Sequence, residues 1–143
     1  MRRALATLLL VVATVLPADA AWACSCARNP TAEGILQGAT AVFTGVAGAS
    51  LQVAPGRSIT TFTLSEAFKG AAAGTTLRVS HPSGSSASCG VTFRPGETHT
   101  LAAYRTEAAP GLATSLCSTW MFLPSVGIGA DLISRMRVLR GGR

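Results

Sequence analysis

Cys24-Ser25-Cys26 is the stretch that decides how this chain is interpreted. The residues before it have the pattern of a secretory signal peptide: Arg2-Arg3, an apolar run over 4–16, and small residues at the end. The apolar run is shorter than the about 20 residues that a membrane-spanning helix needs. We therefore expect residues 1–23 to be removed, which leaves a single domain, 24–143, with Cys24 as its first residue.

The position of signal cleavage has more than one reading. Cleavage after Ala23 would give Cys24 a free α-amine beside its own carbonyl oxygen, and two such adjacent donors can chelate a metal ion. Cleavage after Ala20 fits the same small-residue rule and would leave 21–23 ahead of Cys24. A lipoprotein signal is a third reading, although Ala21 stands where such signals carry a larger aliphatic residue. We expect a secreted protein, located extracellularly or on the exterior of the cell envelope.

Four cysteines follow the predicted signal, at positions 24, 26, 89 and 117. An even number of cysteines in an exported chain predicts two disulfides. A bridge between Cys24 and Cys26 would strain the chain, which leaves two of the three pairings open. Either pairing ties the N-terminal segment to two distant points of the fold, and each closed loop contributes roughly 4 kcal/mol in the chain-entropy model. A thiolate metal site is disfavoured, because Cys89 and Cys117 are isolated and the compartment is oxidising.

Short β-like segments separated by turns predict the fold class. Asn29-Pro30-Thr31 is typical of a helix start, with Gly38 as the end of that helix. A stripe of apolar residues predicts another helix within 125–139. The predicted strands are 41–51, 58–68, 75–81, 98–105 and 112–118, with a short segment at 91–93 and turns at 55–56, 94–96 and 110–111. This pattern predicts a small closed or nearly closed β-barrel flanked by helices.

The charged and polar residues favour a protein that is not an enzyme. The net charge is +6 at pH 7, with four arginines between 135 and 143. We interpret these arginines as a solvated helix face, with weak contact to an anionic envelope as the minority reading, and we expect no nucleic-acid partner. His81 and His99 are too few and too separated for a metal site, so we expect surface or loop histidines. The sequence contains no nucleophile–base motif, so we predict no catalytic residues and no cofactor of its own.

Several short motifs together resemble the N-terminal domain of the tissue inhibitors of metalloproteinases, the netrin-like module. The motifs are Cys24-Ser25-Cys26, Ala41-Val42-Phe43-Thr44-Gly45, Phe68-Lys69-Gly70, Ser88-Cys89-Gly90 and Leu116-Cys117-Ser118. The order and spacing of the cysteines are the specific part, and the match extends loosely over nearly all of 24–143. The resemblance implies a mainly β fold, an OB-fold-like five-stranded barrel with short N-terminal and C-terminal helices. It also implies two disulfides, Cys24–Cys89 and Cys26–Cys117.

The resemblance further implies that the chain is an inhibitor of zinc metalloproteases. In that family the mature N-terminal cysteine, here Cys24, binds the catalytic zinc of the target protease through its α-amine and carbonyl oxygen. The next residue, here Ser25, points at the pocket that normally receives a substrate side chain. The implied inhibitory ridge consists of Cys24, Ser25, Cys26, Ala27, Ser86, Ala87 and Ser88. The zinc would be supplied by the target protease, and we expect this chain to be a monomer.

Two features of the chain depart from the family. Leu36 stands about where a third disulfide would have one of its cysteines, and the loop between the first two strands, 53–57, is short. An alternative function is therefore kept: a cell-envelope module of the OB type that binds a protein or polymer and has no protease target. The state of the mature N-terminus discriminates between the two functions. An extra residue or a lipid at Cys24 would remove the chelating amine and leave the binding module.

Overall fold

The fold is built around one five-stranded sheet. In the computed structural model, which describes residues 24–26, 29–85, 88–107 and 109–142, a short helix precedes the sheet and further helices follow it. The elements in chain order are α1 (Ala32–Gly38), β1 (Ala41–Ala54), β2 (Arg57–Lys69), β3 (Thr76–Pro82), β4 (Thr98–Thr106), β5 (Ala109–Ala113), α2 (Leu116–Trp120), a 3-10 turn (Pro124–Val126) and α3 (Gly129–Gly141). Within the described ranges, no helix is both long enough and apolar enough to span a membrane.

The sheet closes on itself in a ring. Its strand order is β1-β2-β3-β5-β4, and β1 pairs with β2 on one side and with β4 on the other. The neighbouring strands are antiparallel except for β3 and β5, which run parallel with Val79 opposite Leu112. Parallel strands point the same way, so the chain leaves β3 and β5 at the same end of the ring. This end is where the loops after β3 and β5 come together.

The inside of the ring holds one of two apolar cores. Side chains of a strand alternate between its faces, so Phe43 faces inward while the preceding Val42 faces outward. Phe43, Phe62 and Leu101 are fully buried in the inner core. The ring of Phe62 meets those of Phe43 and Phe93 edge to face, with centroids 5.7 and 5.0 Å apart. Aromatic side chains therefore fill much of the space inside the closed sheet.

The second core lies between the outer face of the ring and the helices. Val42 of β1 packs there with Leu36 of α1 and Met136 of α3, and all three are buried. The helix α1 starts close to the predicted position, but Pro30 precedes it and Thr31 is its cap: the Thr31 hydroxyl accepts a hydrogen bond from the Gly34 amide at 3.1 Å. The two helices thus cover one side of the closed sheet, and the inner core stays separate from them.

Most of the predicted elements are confirmed, with β5 as the main exception. The two predicted helices and the first four strands are present within a few residues of the predicted bounds. The fifth strand is Ala109–Ala113 and not 112–118, so the predicted turn at 110–111 lies inside a strand. The chain then turns into α2, where the Ser118 amide donates to the Ser115 carbonyl at 3.1 Å. Cys117 therefore lies on a short helix, and its placement on a strand was wrong.

The segment 91–93 also differs from the prediction, because it is irregular and not a strand. Its apolar side chains are buried all the same: Val91 and Phe93 pack into the inner core of the ring. The Val91 amide donates to the carbonyl of Pro82 at 2.9 Å, which joins this segment to the end of β3. The segment therefore closes part of the inner core without adding a strand to the sheet.

Candidate functional site

Two disulfides fix residues 24–26 to one end of the ring. Cys24 is bonded to Cys89, which follows β3, and Cys26 is bonded to Cys117 on α2, which follows β5. The Cα atoms of the two pairs are 5.6 and 5.2 Å apart. Because β3 and β5 leave the ring at the same end, the two bonds hold the segment across that end. Both disulfides implied by the resemblance are confirmed, and none of the described cysteines is a free thiol.

Ser25 is the exposed member of this segment. Its two cysteine neighbours are half-buried, whereas Ser25 is exposed. An extended chain gives this arrangement, because side chains two residues apart point the same way and the one between them points away. With Cys24 and Cys26 both anchored to the fold, the backbone at Ser25 is held on either side. The segment thus presents a short polar side chain from a fixed position.

The loop that carries Cys89 is held by its own backbone. The Gly90 amide donates to the Ser85 carbonyl at 3.0 Å, and the Ser88 hydroxyl donates to the same carbonyl at 2.9 Å. Cys89 has a φ of 58°, in the left-handed region that side chains rarely adopt. A Cβ atom on Gly90 would lie 2.7 Å from the backbone of Gly84, so only glycine fits there. The Ser88-Cys89-Gly90 motif therefore forms a compact turn that sets the position of the Cys24 disulfide.

The structure describes part of the predicted inhibitory ridge. Cys24, Ser25 and Cys26 are joined to the loop of Ser88 through the Cys24–Cys89 bond, and Ser88 is exposed. The other predicted members, Ala27, Ser86 and Ala87, lie outside the described residues, as does the predicted signal peptide, 1–23. The roles of all seven ridge residues in binding stay predictions.

A groove of about 380 Å³ lies beside the Cys26–Cys117 bond. Ile35 of α1, Tyr104 of β4 and Trp120 of α2 contribute to its walls, together with Cys117 itself. Trp120 lies at the end of α2. The surface next to residues 24–26 is therefore aromatic and apolar on the Cys26 side.

Comparison with known proteins gives no family for this chain. It matches no protein-family model, and no curated protein matches it. The interpretation of the site therefore depends on its own residues and geometry.

The arginines of α3 are bonded to the rest of the fold. Arg137 contacts Glu66 of β2 at 2.7 Å, Arg140 lies 3.3 Å from the other carboxylate oxygen of Glu66, and Arg135 contacts Glu33 of α1 at 2.7 Å. The hydrogen bonds from Arg137 hold the pKa of Glu66 below its ordinary value, and the charges of Arg137 and Arg140 add to this effect. The interpretation of these arginines as a solvated face was incomplete, because they also join α3 to α1 and β2.

The expectation of surface or loop histidines was wrong. His81 lies within β3 and is only 3% exposed, and its Nε2 atom is 2.8 Å from the hydroxyl of Thr60. His99 lies on β4, with its Nε2 atom buried. His81 shares the inward face of β3 with Val79, a parity that the sequence already contains. Among the described residues, no group of three or more His, Cys, Asp or Glu side chains could hold a metal ion.

Proposed function

We propose that this chain is a secreted inhibitor of zinc metalloproteases with an OB-type barrel of the netrin-like kind. Cys24 would ligate the catalytic zinc of the target protease through its α-amine and its carbonyl oxygen. The strand order β1-β2-β3-β5-β4 supports the OB-type assignment, and the two disulfides are compatible with an extracellular location. The proposal requires signal cleavage after Ala23, because only then does Cys24 carry the free amine.

One observation carries the proposal: both cysteines around Ser25 are bonded to the same end of the ring. A segment fixed on both sides loses little conformational freedom when a partner binds, so more of the interaction energy appears as affinity. A flexible N-terminus would lack this advantage. Bonding Cys24 to Cys89 also removes its thiolate from metal chemistry, which leaves the backbone donors of Cys24 as the ligands.

The chemistry of these donors fits a catalytic zinc. Such a zinc keeps one position open beyond its three protein ligands, and this position normally holds water. An α-amine has an ordinary pKa of about 7.7–8.0, so its loss of a proton to a metal costs little near neutral pH. The adjacent amine nitrogen and carbonyl oxygen of Cys24 would close a five-membered chelate. Ser25 would then direct its small side chain at the pocket next to the zinc.

The remaining functional assignments follow from this mechanism. The chain would act as a monomer, use no cofactor of its own and catalyse no reaction, and the target protease would supply the zinc. The pairing of Arg135, Arg137 and Arg140 with carboxylates leaves less free positive charge for an anionic envelope. For this reason we place the envelope-binding module second, as an outcome of the test below.

The test compares the native N-terminus with a blocked one. Lys69 is the sole lysine of the chain, and its Nζ donates to the carbonyls of Leu36 and Gln37. In a Lys69→Arg protein, acetylation can therefore modify the α-amine alone. The unmodified and acetylated forms of this Lys69→Arg protein are then compared as inhibitors of a panel of zinc metalloproteases, assayed with a fluorogenic peptide substrate. Circular dichroism and thiol titration check that the fold and both disulfides are intact.

We expect acetylation to abolish inhibition, because it removes the neutral nitrogen donor. A Ser25→Gly variant is the matched control: it should inhibit more weakly but not lose inhibition, since chelation by Cys24 remains. Equal potency of the acetylated and native forms would refute chelation by the amine. If the native protein inhibits no protease of the panel, or if sequencing shows residue 21 at the mature N-terminus, the inhibitor assignment fails and the binding module is favoured.

A further inference from the structure

A chain of hydrogen bonds leads from the surface to a buried histidine. The Ser50 hydroxyl is exposed and lies 2.6 Å from the Thr60 hydroxyl, which is fully buried and lies 2.8 Å from His81 Nε2. On the other side of the imidazole, His81 Nδ1 lies 3.2 Å from the Pro82 carbonyl oxygen. The nearby backbone of Val91 also contacts His81. None of these groups has a part in the proposed zinc chemistry.

The carbonyl acceptor beside His81 determines which group donates in each of these hydrogen bonds at neutral pH. A carbonyl oxygen can only accept, so His81 Nδ1 carries the hydrogen and Nε2 accepts from Thr60. Thr60 in turn accepts from Ser50. A proton arriving at Nε2 reverses both hydroxyls: His81 donates to Thr60, Thr60 to Ser50, and Ser50 to solvent. The hydrogen bonds of His81 can therefore be kept on protonation, and what opposes protonation in the closed form is the burial of the charge.

Residues 90–97, here called the cover segment, close the inner core over His81. The Phe93 ring of this segment meets the His81 ring edge to face at 4.9 Å, and it meets the His99 ring at 5.1 Å on another side. The segment begins directly after Cys89. The Pro82 carbonyl that His81 contacts also accepts from the Val91 amide at 2.9 Å. His81 thus touches the Phe93 side chain and shares an acceptor with the Val91 amide, while the far end of the segment is held to β1 by backbone bonds of Gly96 and Glu97 with Ala47 at 2.8 and 2.9 Å.

We propose that His81 positions the cover segment, so that the Cys24–Cys89 end of the site is held firmly at neutral pH and loosened on acidification. Opening of the segment would withdraw Phe93 and admit water to His81 and His99. Because Cys89 adjoins the segment and is bonded to Cys24, the opening would be transmitted to residues 24–26. A resulting loss of protease inhibition in acid rests on the proposed function, whereas the opening itself does not.

The charges around both histidines fix the direction of the effect. Burial lowers the pKa of His81, and the hydrogen bonds to Pro82 and Val91 only oppose this in part. Among the described residues, the charged side chain nearest to His81 in the fold is Arg57 of β2, which lines the same cavity, and no carboxylate contributes to the shift in the pKa of His81. Burial also lowers the pKa of His99, against the opposing charge of Glu97. His99 Nε2 is 3.5 Å from Glu97, which is too far for a good hydrogen bond.

The lowered histidine pKa values predict how the population of the open form depends on pH. The open form, with hydrated histidines, binds a proton at an ordinary pKa of about 6.5, whereas the closed form binds it only at lower pH. Below about pH 6.5 the open population should therefore rise, by up to tenfold per pH unit for one histidine and by more if both are hydrated. The rise should stop where the closed form itself takes up the proton. Above pH 7 the population should not depend on pH.

Amide hydrogen exchange, corrected for its intrinsic pH dependence, measures this population on the protein alone. We expect exchange at the Gly90 and Val91 amides to accelerate by about fivefold between pH 6.5 and 5.5 if one histidine becomes hydrated, and by more if both do. The Leu132 amide, bonded to Ile128 at 3.1 Å in α3, is the control and should show no such change. A uniform acceleration at all three amides would mean global unfolding and would overturn the proposal.

Two variants and one titration complete the test. His81→Asn keeps a donor near the Pro82 carbonyl but cannot titrate, so it should lose the pH dependence at Val91; His99→Asn should retain the share of His81. An unchanged slope in a folded His81→Asn protein would overturn the role of His81. If that variant does not fold, the wild-type protein decides by NMR titration: a His81 pKa at or above 6.5 would also overturn it. None of these measurements requires a protease, so they can succeed where the inhibitor assignment fails.

Discussion

Removal of either disulfide should destabilise the protein by the same amount, although the two bonds close loops of different length. Taken singly, Cys24–Cys89 spans 65 residues and Cys26–Cys117 spans 91. With one bond intact, however, the other closes only the segments from Cys89 to Cys117, a sequence separation of 28, and from Cys24 to Cys26, a separation of two. A loop of about 30 residues is worth about 3.6 kcal/mol at 25 °C in the chain-entropy model, whichever bond closes it.

The comparison uses two double variants, Cys24→Ser/Cys89→Ser and Cys26→Ser/Cys117→Ser. Each should lower the free energy of unfolding by about 3.6 kcal/mol, measured by guanidinium denaturation under non-reducing conditions. Further removal of the second bond should cost more, about 4.3–4.6 kcal/mol, because the remaining loop is then the full 65 or 91 residues. Losses that differ by more than about 1.5 kcal/mol between the two double variants would refute the shared-loop reasoning.

Three further predictions concern the helices. Met136→Ala removes a side chain that is fully buried in the outer core and should cost about 2–5 kcal/mol in denaturant unfolding; a loss below about 1 kcal/mol would contradict this packing. Thr31→Ala removes the cap of α1 and should lower the unfolding free energy by about 1 kcal/mol, with Thr31→Ser as the neutral control. Because its pKa is lowered in the fold, Glu66 stabilises the protein above about pH 4.5 and loses this effect as the pH falls further. Glu66→Gln should therefore cost up to about 1 kcal/mol at pH 7 and nothing at pH 2, and an equal loss at both pH values would exclude the ion pairs as its cause.

Local sequence signals were sufficient where a residue acts through its own neighbours. The start of α1, the turn at Pro55-Gly56 and the alternation along β2 all follow from short patterns, and the structure has them within a few residues. The disulfide pairing needed more, because spacing left two choices open and the family resemblance selected between them. Both cysteine pairs are formed as that resemblance implies.

The sequence failed where tertiary contacts decide. The residues from Leu112 to Cys117 alternate like a strand, but the buried Thr114 hydroxyl donates to the Ala102 carbonyl and the chain turns into α2. The buried environment of His81 was not predicted, because its partner Thr60 is 21 residues earlier in the chain, on the neighbouring strand β2. The arginines of α3 have partners 71 to 102 residues distant, so their pairing could not be seen as a local charge pattern.

The attachment of Cys26 to Cys117 has a consequence for the order of folding. The first residues of the domain can reach their final position only after α2, which carries Cys117 91 residues later, has taken its place in the fold. Until then Cys26 lacks its partner, and a transient bond between an N-terminal cysteine and the wrong partner has to be undone by slow thiol exchange. Long-range closure of this kind also makes folding slow. The segment around Ser25 should therefore be among the last parts of the molecule to mature during refolding, and its assembly should depend on a thiol–disulfide isomerase more than the sheet does.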